Sequence, residues 1–458
     1  MGAATSLNLF LTNVCRNNCA YCFAPLASSA KEACWMRRED IDYALDFFER
    51  SSVSTVRFLG GEPLFHPKFS EAYEAALAIQ SVECVSVFTS ANVAPSRLRI
   101  LRSERTNVIA NVNHPSDYSP GNYRRVKENL ASIADKGVPI TIGHNIYRPS
   151  GDFSWFVALC DDMGVGRVRI AVASPTGQRT TSAPGLRERA LLGPSLYAFL
   201  LAVSDRRIRV TFDCMITPCA FSLEHWGDIA RLFPFAIAGS AICGPALDIL
   251  PNLEVTRCCG VGKLASVRLR DFQSAADLLA HFRDNIDIHR RAVAPTECHE
   301  CREFRRRTCD GHCMGYSTDA LAVMDVARRQ SRTPLTTARE AVRRGEIPAA
   351  LENFEAAIKL YPYDGIAVCD FAWVLLQAGM LSRAEDLCRQ YLFLSDVVPQ
   401  GMSSFLKAGL AESRGDLKAA VGHYRAALRD ACEDGQRTWI CNRIHSLAMQ
   451  GMDKDANW

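Results

Sequence analysis

The stretch "LTNVCRNNCAYCFAP", residues 11–25, carries Cys15, Cys19 and Cys22 at C-x3-C-x2-C spacing. It runs on from "SLNLFLT" (6–12), whose apolar alternation reads as a strand, so the thiols stand on a loop at a strand's C-terminal end. α/β folds gather their chemistry at that end of the sheet. Thiolates suit zinc, copper(I) and iron–sulfur clusters. Zinc usually takes C-x2-C pairs and fills four places with side chains, whereas a three-thiolate loop suits a cubane with one iron left open. The fourth ligand is either a distant residue or no part of the protein.

Outward from the loop, short apolar runs alternate with helical ones. "TVRFLGG" (55–61), "CVSVFTS" (84–90), "NVIANVN" (107–113), "PITIGHNIY" (139–147) and "RVRIAVA" (167–173) read as strands. Helices are expected at 38–50, where Ile41, Leu45 and Phe48 share a face, and at 69–80, 122–136 and 152–163. Repeated β-α units imply a parallel sheet with helices outside, open or curved into a barrel. The alternation stops near residue 205. Residues 206–328 are irregular and cysteine-rich, and metal clusters are a plausible replacement for a core there.

From 329 the chain reads as all-helical. Gly345, Ala350, Phe354, Ala357 and Pro362 align with Gly379 and Ala384, then with Gly415, Ala420, Tyr424 and Ala427. The glycines are 34 and then 36 residues apart. Over 333–458 this resembles the tetratricopeptide repeat, with a degraded second copy; an ordinary helical bundle is the alternative.

Composition narrows the classes. The 458 residues are 48% hydrophobic and 22% charged, with a net charge of +3, so no nucleic-acid or membrane surface is implied. The N-terminus has no basic run, and "PFAIAGSAICGPAL" (234–247) is short and broken, so a cytoplasmic protein is expected. Nineteen cysteines in that compartment point to metal or redox chemistry rather than disulfides. Cys34, Cys84, Cys160, Cys369, Cys388, Cys432 and Cys441 are scattered and read as small buried hydrophobes.

The cysteine loop resembles that of the radical S-adenosylmethionine (SAM) superfamily, in which C-x3-C-x2-C follows the first strand of a partial β/α barrel. "GGEP" (60–63) after the second strand matches that family's motif for the SAM amino group. Alone it would be a generic turn; behind the cysteine loop the joint signal is strong. The resemblance implies that SAM is the fourth ligand of a [4Fe-4S] cluster. It further implies that Tyr21 packs by the adenine and that Gly60, Gly61 and Glu62 meet the ammonium. Ser90 and Asn92, in "FTSANVAP" (88–95), and Asn113, in "NVNHP" (111–115), are candidate SAM contacts or else turn caps. The cation for the SAM carboxylate stays unidentified.

"CHECREFRRRTCDGHC" (298–313) and "CGPALDILPNLEVTRCC" (243–259) resemble the SPASM extension, which holds auxiliary iron–sulfur clusters; a zinc ribbon is the alternative. The resemblance implies one or two auxiliary [4Fe-4S] clusters. Cys243, Cys258 and Cys313 would hold the first, and Cys298, Cys301 and Cys309 the second. Three departures stand out: an x7 spacing in place of x5, Leu253 in place of a turn glycine, and no cysteine between Met314 and Val368. For the first cluster Cys219 is the preferred fourth ligand, over Cys214 and Cys259. The second takes a non-cysteine ligand such as Asp310 or His312, keeps an open iron, or does not form.

The expected architecture is thus an α/β partial (β/α)6 barrel over 1–205, a small cysteine-rich α+β domain over 206–328, and an all-α helical-repeat domain over 329–458. The expected activity is reductive cleavage of SAM to a 5′-deoxyadenosyl radical that abstracts hydrogen, with auxiliary clusters in electron transfer or substrate ligation and a flavodoxin or ferredoxin donor. SPASM relatives mostly modify peptides or proteins, by oxidation or crosslinking. A leader-binding winged helix is not expected before Cys15, so the repeats would bind the peptide instead. The alternatives are a dehydrogenase, epimerase or other enzyme acting on a sugar, nucleoside or tetrapyrrole, and a non-catalytic electron-transfer scaffold. No catalytic acid, base or hydrogen donor can be named.

Overall fold

Seven short strands run parallel in the order of the chain. They are β1 (Ser6–Phe10), β2 (Thr55–Leu59), β3 (Cys84–Thr89), β4 (Thr106–Asn111), β5 (Ile140–Ile146), β6 (Arg167–Val172) and β7 (Arg209–Asp213). This computed structural model describes residues 6–17, 19–24, 32–102, 105–148, 151–176, 183–185, 188–262, 264–392, 394, 400–430 and 434–452. Strands buried on both faces need continuous apolar runs. Leu7, Leu9, Val56, Phe58, Val85, Val87, Val108 and Ile142 supply them, all with no exposed surface.

Sequential order of parallel strands needs a crossover after each one. Five helices serve: α1 (Arg38–Arg50), α2 (Phe69–Ala78), α3 (Pro120–Asp135), α4 (Ser154–Met163) and α5 (Arg189–Asp205). In α1 the buried set Ile41, Ala44, Leu45, Phe47 and Phe48 is one helical face. Its acidic first turn (Glu39, Asp40) and basic Arg50 in the last turn suit the helix dipole. Burying Phe48 alone stabilises the layer by about 2 kcal/mol. Buried Asp40 is held between Arg37 Nε (2.8 Å) and Arg270 (3.1 Å). In α3, Asn129 reaches back to cap the carbonyls of Ala91 (2.7 Å) and Val93 (2.9 Å), fixing the turn after β3.

The run of parallel strands in chain order holds one more than the six read from the sequence. β7 falls in the segment expected to open the cysteine-rich domain, and among the described residues β7 and β1 do not pair. The cysteine-rich segment joins the same sheet. β8 (Asp248–Ile249) pairs parallel with β1, and Asn8 Nδ2 donates to Asp248 Oδ1 at 2.6 Å. β9 (Glu254–Thr256) and β10 (Ser266–Arg268) extend it antiparallel. Leu253, at the turn between β8 and β9, adopts φ +61°, the left-handed conformation a glycine would take freely. Its side chain is buried, which offsets the strain.

The chain divides into two compact units: residues 1–282 with 295–318, and residues 283–294 with 319–458. In the second unit, the helices Thr318–Arg343, Ile347–Leu360, Gly365–Gln377, Leu381–Tyr391, Gln400–Ser413, Leu417–Asp430 and Asp434–Met452 follow one another. Three glycines in the left-handed region, Gly345 (φ +74°), Gly379 (+72°) and Gly415 (+77°), turn the chain between helices. After each, the next amide bonds back to a helical carbonyl: Glu346 N to Ala341 O, Met380 N to Leu375 O, Asp416 N to Ala411 O. Ala350, Phe354, Ala357, Ala384, Ala420, Tyr424 and Ala427, aligned in the sequence, are all buried. Segment 283–294 belongs to this unit, with His289 Nδ1 2.7 Å from the Tyr361 hydroxyl.

No described helix is long and apolar enough to cross a membrane. Of the scattered cysteines, Cys160 and Cys369 are buried as expected; Cys34, Cys84 and Cys388 are half-buried, Cys441 is exposed, and Cys432 lies outside the described residues. Cys441 therefore departs from the buried-hydrophobe reading; its place on the last helix gives it a solvent-facing position that composition alone does not reveal.

Candidate functional site

The loop after β1 and the turn after β2 are pressed together by backbone. Gly61 N donates to Thr12 O at 2.7 Å and Glu62 N to Val14 O at 2.8 Å. A Cβ on Gly61 would stand 2.8 Å from Cys15 N and closer still to the Val14 carbonyl. Gly60 has φ +145°, and a Cβ there would meet Thr12 N at 3.2 Å and its carbonyl closer. The two glycines are thus required by approach to the cysteine loop, not only by turning.

Glu62 is fully buried. Its Oε2 accepts from Ser90 N (3.0 Å) and Ser90 Oγ (2.8 Å), while Oε1 makes no hydrogen bond. Burial raises the pKa of this carboxyl; Ser90, Thr89 and the Leu64 amide work against that and favour the charged form. Ser90, a candidate SAM contact from the sequence, is in this structure the residue that holds Glu62. Asn92 is drawn to the cysteine loop, its Nδ2 donating to Asn17 Oδ1 at 3.1 Å.

Asn113, 9% exposed, ties two members of the cysteine loop together. Its Oδ1 accepts from the Tyr21 hydroxyl at 2.5 Å and its Nδ2 donates to Cys19 Sγ at 3.4 Å. Tyr21 lies against Tyr147, ring centroids 5.3 Å apart. Cys15, Cys19, Cys22, Tyr21, Gly60, Gly61, Ser90 and Asn113 line one cleft. Burial pushes the Cys15 thiol up to about 12, so it binds as thiolate only against a strong positive centre.

Arg169, Asn111, Asn145 and Tyr118 line the same cleft and were not singled out from the sequence. Arg169 is the only cation among the described lining residues. Its Nε donates to Asp213 Oδ2 at 2.6 Å and its Nη1 to Asn111 Oδ1 (3.2 Å) and Asn145 Oδ1 (3.3 Å). The guanidinium holds the Asp213 carboxyl below its usual range. A signal for it exists: an arginine midway along the apolar strand "RVRIAVA" must find a buried partner.

The second cysteine group lies beyond the seven parallel strands, and among the described residues no three of its side chains stand together as a ready metal site. The buried Arg257 guanidinium donates to Cys243 Sγ (3.5 Å), Cys258 Sγ (3.9 Å) and Cys243 O (2.6 Å). Gly315 N donates to Cys313 Sγ at 3.4 Å and Gly311 N to Cys309 Sγ at 3.3 Å. Burial pushes Cys258 up to about 12, and the Cys313 and Cys243 thiols push the same way; Cys309 is likewise pushed up to about 12, with Cys219 and Cys298 adding to burial. Cys214 stands exposed where the chain leaves β7. Cys298-x2-Cys301 is closed by a turn, Cys301 N to Cys298 O at 3.0 Å. Cys259 faces elsewhere: it packs with Phe10, Ala24, Leu59 and Cys22, behind the first cysteine loop. Asp310 accepts from Cys243 N at 2.8 Å, and His312 Nε2 pairs with Ser317 Oγ at 2.6 Å.

Residues 9–150 match the family model described as Radical SAM superfamily, and the first cysteine loop, the Gly-Gly-Glu-Pro turn and Asn113 lie within the matched span. The fold is similar to three solved structures. Streptococcus suis SuiB bound to precursor peptide SuiA is 15% identical over 68% of this chain and 72% of that one, TM-score 0.50. Native anSMEcpe with bound AdoMet is 15% identical over 68% and 89%, TM-score 0.51. The same protein with AdoMet and Kp18Cys peptide is 14% identical over 68% and 89%, TM-score 0.51. No curated protein matches the chain.

Proposed function

We propose that the chain is a radical SAM enzyme that modifies a peptide or protein by hydrogen abstraction, in an oxidation or crosslink. The observation that carries the first half is Glu62: a buried carboxylate with one oxygen unpartnered, locked by Ser90 beside a loop of three thiols. That donor set fits a [4Fe-4S] cluster on Cys15, Cys19 and Cys22 with SAM beside it, since thiolates favour iron–sulfur and a buried carboxylate suits an ammonium. When bound, the cluster supplies the single electron that splits SAM into methionine and a 5′-deoxyadenosyl radical.

The chain's own residues orient and exclude. Gly60 and Gly61 let the turn after β2 approach the loop. Glu62, with Oε1 unpartnered, would accept the ammonium, and Arg169, the cation among the described lining residues, would serve a carboxylate. Asn113 fixes Tyr21 against the loop, and the buried walls around Tyr21 keep water from a reactive intermediate. Cys243, Cys258, Cys298, Cys301, Cys309 and Cys313 would hold auxiliary clusters, and a flavodoxin or ferredoxin would deliver the electron. A peptide substrate is supported by the folds similar to this one, which include structures bound to a precursor peptide or to Kp18Cys peptide. The helical repeats, tetratricopeptide-like in their glycine spacing, would supply its docking groove.

The test is anaerobic. Wild-type protein reconstituted with iron and sulfide, then given dithionite, SAM and a peptide pool, should form 5′-deoxyadenosine; Cys15→Ala should form none above background. Equal amounts from both proteins would sink the assignment.

A further inference from the structure

The broken apolar run "PFAIAGSAICGPAL" (234–247) returns beside β7, the last of the parallel strands, and its first residues, Pro234–Ile237, form a short helix packed on that strand. Among the described residues β7 pairs only with β6, so its far edge carries unpaired backbone. The register sets Arg209 opposite Arg167, and Arg209 N donates to Gly166 O at 2.9 Å. In a parallel pair alternate residues bond to the neighbour. Arg209 and Thr211 therefore face β6, while Val210 and Phe212 turn their N–H and C=O groups outward.

Residues of 207–212 and 232–240 line one groove at this edge. Among the described residues two arginines, Arg207 and Arg209, line it and no carboxylate does. Both are exposed, and neither guanidinium has a hydrogen-bond or ion-pair partner among the described residues. Apolar surface stands beside them: Phe235 is 94% exposed and Leu232 40%. An open strand edge, unpaired positive charge and bare apolar side chains are all satisfied by one occupant, an added strand of alternating acidic and apolar residues.

The edge also leads to the site. Cross-strand neighbours share a face of the sheet, and Thr211 stands opposite Arg169, the cation of the cleft. Arg209 and Asp213, two residues either way along β7, lie on that same face, and Asp213 accepts from Arg169 Nε at 2.6 Å. A strand laid along β7 toward its C-terminal end is thereby aimed at the residues around Arg169.

We infer that β7 takes an extended acidic segment of the substrate as an added strand, its carboxylates on Arg207 and Arg209 and its alternate apolar residues over Leu232 and Phe235. The inference rests on the proposed reading of the chain as an enzyme acting on a peptide or protein, and it says where and by what chemistry that substrate is held. Backbone bonds to Val210 and Phe212 serve any extended sequence; the two charges select among sequences. A second copy of this chain is the poorer occupant, since edge-to-edge pairing brings the same arginines to one seam.

The test uses the full reconstituted chain and the fluorescence anisotropy of a labelled peptide of alternating glutamate and valine. Wild type should bind it and prefer it to the same peptide with lysine for glutamate. Changing both Arg207→Glu and Arg209→Glu should weaken binding at least about tenfold and turn the preference toward the lysine peptide. Phe235→Ser, on an exposed side chain, should weaken both peptides. The glutamate peptide N-methylated at every residue, which keeps the charges and loses the backbone donors, should fail to compete. In the peptide-pool assay, an excess of the unmethylated peptide should cut modification of the pool severalfold. Circular dichroism matching wild type shows that each variant is folded.

Equal binding by wild type and the double arginine variant would overturn the inference, as would equal competition by the N-methylated peptide, which would leave charge without strand addition. A wild-type dimer by sedimentation that the glutamate peptide does not dissociate would give the edge to a second copy. 5′-Deoxyadenosine formed by wild type with no peptide bound at the groove would remove this inference and leave the radical SAM reading standing. Peptide binding with no nucleoside above the Cys15→Ala level would remove the enzyme reading and the groove's substrate role with it, a failure distinct from lost binding.

Discussion

Glu62 and Ser90 form a pair in which one residue binds and the other aims. Glu62→Gln removes the charge that would meet an ammonium, so SAM affinity should fall about 10- to 100-fold with iron content unchanged. Ser90→Ala leaves the charge but frees the carboxylate to rotate, and should cost roughly tenfold. Equilibrium dialysis of SAM with the reconstituted protein checks both; a larger loss in Ser90→Ala than in Glu62→Gln would reverse their roles. His144 offers a pH signature in the same unit. Burial lowers its pKa from 6.5 to about 4, with the Val112 carbonyl acting against that shift. The stability that depends on a neutral ring is complete above the unfolded pKa and drains as pH falls through the folded one, because the unfolded chain takes up the proton first. The full span is on the order of 3 kcal/mol. His66 shifts the same way, so His144→Gln should remove only part of the acid sensitivity. The gap in urea midpoint between wild type and His144→Gln should narrow from about pH 7.5 to about pH 4.5; a constant gap would contradict the buried neutral ring.

Between elements, the cysteine loop depends on the turn beside it. Gly61→Ala forces a methyl into the Val14 carbonyl and Cys15 amide, both backbone, so the loop must move rather than a side chain. The chain should still fold, because the sheet lies below this contact, but with a stability loss of about 1–3 kcal/mol. Iron retained on Cys15, Cys19 and Cys22 should drop at least severalfold; full iron retention would show that the glycine serves the turn alone. Much at this scale was legible from periodicity. β1 through β6, the four helices read between them and the repeat glycines announce themselves through local pattern. β7 did not, since "RVTFD" is five residues long and only Val210 is buried. Ser90's partner and the contacts of Arg169 depend on residues far away in sequence. No local pattern carries that information.

For the whole molecule, the sequence suggested three consecutive domains, and the contacts divide it into two units that share the chain unevenly. Residues 283–294, just ahead of Cys298, belong to the helical unit and bury Ile288 and His289 within it. A chain cut back to residue 318 should therefore expose this segment. Limited trypsin digestion with mass spectrometry should show cleavage at Arg290 or Arg291 in the truncated form and protection in the full chain; Arg291 is 1% exposed there. Equal protection in both would mean that 283–294 finds its core elsewhere.

The polypeptide passes between the units three times, after residues 282, 294 and 318. A domain joined by one linker can be exchanged by a single recombination event, as beads are restrung. Here one crossover at any junction would leave a strap behind, tucked into a partner of foreign sequence. An exchange that keeps the helical unit whole therefore has to carry residues 283–294 along with residues 319–458.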